Sequence, residues 1–218
     1  MKVTTSQGIN YEVSQIEIPL YLKILNFFDR HFNYKWLAQR VTGDLKTKEE
    51  KIFRLFQWTH ETIRPQPKNL PIMDDHVWNV YVRGYGVRDN FNDLFATLCN
   101  YIGVDGFFTG IYSEETDKVL QLSFVKLEEG WLVFDPYYGV YFENKRGEWA
   151  TVEEIKNDNW NMVKLDQTKI PVFFYEPYLK VLPDVKEMYF RRANIQSPIN
   201  RLKYQLAKWF SGDKPLLE

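Results

Sequence analysis

The chain has 218 residues, 44% hydrophobic and 17% aromatic, enough to bury a substantial core and too apolar for a disordered segment. Its 28 basic and 29 acidic residues leave a net charge of −1, which removes any overall electrostatic argument for nucleic acid, and its one cysteine excludes an internal disulfide. No stretch approaches the roughly 18 consecutive apolar residues of a membrane span, and residues 1–13 lack the apolar core of a signal peptide. The expectation is a soluble cytoplasmic protein.

Residues 1–17 alternate weakly and read as an extended segment. From Pro19, the residues Leu20, Ile24, Phe27, Phe28 and Phe32 recur at helical spacing, which predicts a helix of about four turns. Thr47 followed by Glu50 is a capping-box pattern, and Ile52, Phe53, Phe56 and Ile63 give the helix behind it an apolar face. Arg64-Pro65 and Gln66-Pro67 end it. The glycine turn Gly84-Tyr85-Gly86 then opens into a strongly periodic segment with Phe91, Leu94, Phe95, Leu98 and Ile102 on one face. Asp89 is placed to cap this central helix and Gly103 to end it.

Residues 106–112 and 119–127 read as strands, and 131–135 as a return strand behind the turn Glu128-Glu129-Gly130. Tyr137, Tyr138, Val140 and Tyr141 continue an aromatic β-like run, and Thr151-Val152-Glu153-Glu154 starts a short helix. Helices followed by an antiparallel sheet predict an α+β fold, with the central helix packed on the sheet. The domain is expected over 1–165, with 166–218 as a C-terminal extension. Within that extension Ile199, Leu202, Leu206 and Trp209 or Phe210 share a helical face. Seven basic residues from Lys186 to Lys214 face only Glu187 and Asp213. Such a basic amphipathic helix is expected to pack on its own domain, an anionic membrane surface being its less favoured seat.

The order glycine turn, buried helix, then strands closing on Trp131 and Asp135-Pro136 resembles the transglutaminase-like family of papain-type cysteine enzymes, over roughly residues 47–140. The resemblance implies a Cys-His-Asp triad. The nucleophile position is Arg88, the general-base position is Leu120 or Gln121, and the aspartate is retained as Asp135. His76-Val77-Trp78 has the look of the family's histidine motif, but it precedes the nucleophile position, so His76 is read as structural. Cys99 falls well inside the central helix and is read as core.

Without the cysteine and histidine, the resemblance implies a catalytically inactive member acting as a binding or scaffolding module. An Arg88–Asp135 pair, with Gln121 alongside, is expected to replace the triad. The binding-cleft candidates are Trp78, Tyr85, Arg88, Asp89, Trp131 and Tyr137. The expected partner is a protein or peptide, or a small anion received by Arg88. The competing reading is a divergent hydrolase or acyltransferase using Asp75, Asp89, Asp93 or Asp135 as acid or base. His31, His60 and His76 show no ligand spacing, so neither a metal nor another cofactor is expected.

Overall fold

The computed structural model describes residues 1–9, 12–74, 76–166, 174–185 and 206. Asp75 and the predicted basic C-terminal helix lie outside the described residues, Leu206 excepted.

The elements run β1 (Lys2–Ile9), β2 (Glu12–Pro19), α1 (Leu20–Thr42), α2 (Lys48–Thr62), β3 (Arg64–Pro65), β4 (Met73–Asp74), α3 (Val77–Arg83), β5 (Tyr85–Gly86) and α4 (Arg88–Tyr101). There follow β6 (Gly106–Ser113), β7 (Lys118–Lys126), β8 (Trp131–Asp135), β9 (Val140–Glu143), α5 (Val152–Lys156), β10 (Asn161–Lys164) and α6 (Glu176–Leu179). The N-terminal segment is therefore a hairpin, β1 pairing antiparallel with β2 from Lys2–Pro19 to Ile9–Glu12. The first helix is longer than the four turns expected, 23 residues, with Pro19 as its N-cap. Behind Thr47 the capping box forms as expected: the Glu50 N–H donates to Thr47 Oγ1 at 3.1 Å, and the Thr47 N–H to Glu50 Oε2 at 3.0 Å.

β6 to β10 form one antiparallel meander in the order β10-β9-β8-β7-β6. Alternation along each strand sends side chains to opposite faces. Val125, Leu132 and Phe134 meet α4, behind which α1, α2 and α3 pack. Leu120, Leu122, Phe124, Trp131 and Val133 build a second core with α5 and with Tyr175, Tyr178 and Leu179 of the α6 segment. β8 is buried along its whole length because it is covered on both faces. Phe134 is held by Phe56 at 5.2 Å and Phe95 at 5.3 Å between ring centroids, which locks α2 and α4 to the middle of the sheet. Among the described residues no helix is long and apolar enough to cross a membrane.

Candidate functional site

The site is built where the N-terminus of α4 meets the end of β8. Gly84, at φ +72°, ends α3, and β5 pairs in parallel with β3. That pairing aims the chain into α4. Val87 rather than Asp89 is the N-cap, and its N–H donates to Asn90 Oδ1 at 3.0 Å. Valine has no side-chain acceptor, so Asn90, reaching back, supplies the cap. This explains Gly86: a Cβ there would stand 2.6 Å from Asn90 Oδ1. Arg83 tightens the turn, its Nε donating to the Tyr85 carbonyl at 2.8 Å and its Nη2 to Asn90 Oδ1 at 3.3 Å.

Arg88 is the first residue of α4, where a cation opposes the helix dipole. Its half-buried guanidinium lies over two rings, its Cζ 4.9 Å from the centroid of Tyr138 and 5.4 Å from that of Tyr137. One turn along, Asn92 Nδ2 donates to the Arg88 carbonyl at 3.0 Å, and Ser123 Oγ on β7 donates to Asn92 Oδ1 at 2.7 Å. Both Asn92 and Ser123 are fully buried. This link pins the helix start to the sheet.

Asp135 ends β8 with no solvent exposure. Its Oδ1 accepts from the N–H groups of Tyr137 at 3.0 Å and Tyr138 at 3.2 Å, and its Oδ2 accepts the Tyr175 hydroxyl at 2.8 Å. Burial pushes the carboxyl above its ordinary range, against the opposing pull of the Arg88 cation, the Tyr175 hydroxyl and the two backbone N–H groups. Arg88 and Asp135 thus act on each other through charge, while Tyr175 and the backbone hold the carboxylate oxygens. Beneath the same turn, His60 Nδ1 sits 3.1 Å from the Pro136 carbonyl. A carbonyl only accepts, so Nδ1 carries the proton.

The two candidates for the general-base position separate cleanly. Leu120 is buried in the core on the far face. Gln121 lies two residues from Ser123 and so on the α4 face, with its amide over Gly110 of β6. Of the aromatic candidates, Tyr137 adjoins Arg88, and it also packs against Phe91 at 4.9 Å. Trp131 belongs to the opposite face, where it meets Phe107 at 5.1 Å, because its parity on β8 is that of Val133. Trp78 packs on Trp36 and Tyr81, and Tyr85 lies under Arg83. The expected aromatic cleft does not assemble from these four.

Asp89 is exposed in the first turn of α4, whereas Asp93 is buried, accepting from Thr97 Oγ1 at 3.3 Å. His76 is the N-cap of α3, so the residues expected to mimic a strand motif are helical. Cys99 is buried and its thiol is pushed well up by desolvation. Among the described residues no group of three or more His, Cys, Asp or Glu could hold a metal ion. A cleft of about 740 Å³ opens elsewhere, between the β9–α5 connection and the β7–β8 turn, and holds neither Arg88 nor Asp135.

Tyr138, Tyr175 and His60 were not legible as site residues. Tyr175 lies 40 positions beyond Asp135, and His60 is 76 from Pro136. Local pattern carries no signal across such separations.

Residues 35–167 match the family model of the transglutaminase-like superfamily. Two solved structures are similar. One is the "Putative Cysteine Protease from Cytophaga hutchinsonii", at 14% identity and TM-score 0.43, covering 77% of this chain and 69% of that one. The other is the "Putative Protease from Parabacteroides distasonis", at 11% identity and TM-score 0.39, covering 57% of this chain and 28% of that one. No curated protein matches the chain.

Proposed function

Since the chain belongs to the transglutaminase-like superfamily, we propose that it keeps the family's fold without its thiol chemistry and serves as a binding or scaffolding module. The carrying observation is the guanidinium of Arg88 at the start of α4, stacked over Tyr138 and Tyr137 beside a fully buried carboxylate. In the family the α4 N-terminus would present a thiolate. Here it presents a cation on an aromatic bed, a setting that favours a carboxylate or another small anion, free or at the end of a peptide.

The carboxylate-based enzyme is the weaker reading. Asp135 is sealed by Tyr175 and two N–H groups, and a general acid or base must come within hydrogen-bond reach of its substrate. The full chain would be titrated calorimetrically with a short peptide bearing a free C-terminal carboxylate, and with its amidated form. It would also be assayed for amide hydrolysis and amine incorporation on a glutamine peptide. Binding of the acid form, lost in Arg88→Ala, with no turnover above background, supports the reading. Turnover abolished by Asp135→Asn in a folded protein overturns it.

A further inference from the structure

One face of α1 is apolar and largely uncovered by the described fold, Trp36 at its end also packing on Trp78. Tyr21, Leu25, Phe28, Phe32 and Trp36 follow one another at steps of four, three, four and four residues, and each is between 45% and 63% exposed. The helix meets its own domain with the opposite side, through Tyr34, Leu37 and Ala38, which are fully or almost fully buried. None of its residues before Tyr34 is buried, although its inner side is tied to the body through Lys23 on the Thr4 carbonyl and His31 on Tyr101. A helix with apolar residues on its outer face is costly in water, and contiguous apolar patches of this kind mark interaction surfaces.

We propose that this face is the interface of a homodimer, in which α1 of one copy packs antiparallel on α1 of a second. Steps of four and three are the repeat of a helix–helix seam. The stripe runs roughly 22 Å along the helix at 1.5 Å per residue. At roughly 200 Å² per large side chain, the exposed fractions leave about 500 Å² on each copy, or about 1,000 Å² in the pair, the lower bound for a specific interface before flanking contacts are added.

Direction follows from charge and shape. Lys23, Arg30, Lys35 and Arg40 outnumber Asp29, the helix's one acid, and a parallel pair would set the Lys35 and Arg40 ends side by side. The antiparallel pair separates them and opposes the helix dipoles. It also places Tyr21 across from Trp36, Leu25 across from Phe32, and Phe28 near its own symmetry mate. The uncovered half of the helix carries only Lys35 and Arg40 as cations, against Asp29, too little basic charge to favour an anionic bilayer.

The test uses the full chain and does not depend on the ligand reading. Sedimentation equilibrium over the micromolar range should give twice the 26.2 kDa chain mass. Leu25→Glu and Phe32→Glu should each halve it with an unchanged circular dichroism spectrum, since neither side chain is buried. Oxidised Phe28→Cys should run as a covalent dimer, Cys99 being buried and silent, and Tyr21→Cys alone should not. A wild-type monomer throughout the range overturns the proposal, and flotation of that monomer with anionic vesicles would assign the stripe to lipid instead. A dimer indifferent to both glutamates, or one in which Tyr21→Cys crosslinks and Phe28→Cys does not, overturns it as well.

Discussion

The Tyr175 hydroxyl donates to Asp135 Oδ2 at 2.8 Å, so a residue of the α6 segment closes the end of β8. The segment is seated by apolar contact, Tyr178 and Leu179 entering the far-face core, and the hydroxyl then meets a carboxylate with no solvent exposure. Removing that donor leaves a buried charged acceptor short of one partner. Tyr175→Phe should therefore cost about 1–3 kcal/mol of stability, more than a surface tyrosine would. Urea denaturation of the two proteins measures it, and a loss within the scatter of surface substitutions would mean that water replaces the hydroxyl.

Asp135 also sets a pH dependence. Its folded carboxyl lies above the ordinary value of 3.8, with burial the largest cause, so the native state binds the proton more tightly than the unfolded chain. The contribution this makes to stability is complete below pH 3.8 and is lost as pH rises through the folded value. Asparagine does not titrate, yet it can accept from Tyr137 and Tyr138 and donate to Tyr175. The stability of Asp135→Asn relative to wild type should therefore increase from acid toward neutral pH and then level off. Thermal unfolding across a pH series reads this directly. A relative stability that falls with pH would mean that the Arg88 cation and the hydrogen bonds outweigh burial.

How far the sequence was legible follows from the range of each interaction. Thr47 and Glu50, or Thr151 and Glu154, are three residues apart, and both capping boxes form as their spacing predicts. The alternation of β7 and β8 was equally local. It predicted the antiparallel pairing and left the faces of Leu120 and Gln121 unassigned, which the Ser123–Asn92 hydrogen bond fixes. The N-cap of α4 was misassigned because Asp89 is the stronger capper by type, while Gly86 leaves room for Asn90 to reach back to Val87. Trp131 shares the parity of Asp135 on β8, but it lies four residues back along the strand and packs into the far-face core against Phe107.

Gly139 and His60 make a further check on the turn that carries Asp135. Gly139 has φ +64°, and a Cβ there would come within 2.9 Å of the His60 ring. Gly139→Ala thus adds backbone strain to a steric conflict with a buried side chain, for an expected loss of about 2 kcal/mol or more. His60→Ala opens the space and removes the clash, so the double variant should lose less than the sum of the single losses. A double-mutant cycle in urea tests this. Strict additivity would mean that the turn moves away from α2 instead of pressing on it.

The most direct check on the site itself is Arg88→Cys. A thiol at the first position of α4 lies at the positive end of the helix dipole, which favours the thiolate. The charge coupling between residue 88 and Asp135 works the other way, since an anionic carboxylate opposes a second anion. Alkylation by iodoacetamide as a function of pH should therefore show the thiol titrating below the ordinary cysteine value of about 8.5, and lower again when Asp135→Asn is added. The wild type supplies the blank, because its one cysteine is buried and its thiol is held protonated by desolvation. If the thiol titrates at the ordinary value in both variants, residue 88 does not sense the helix end or Asp135. The start of α4 would then carry no bias toward a thiolate.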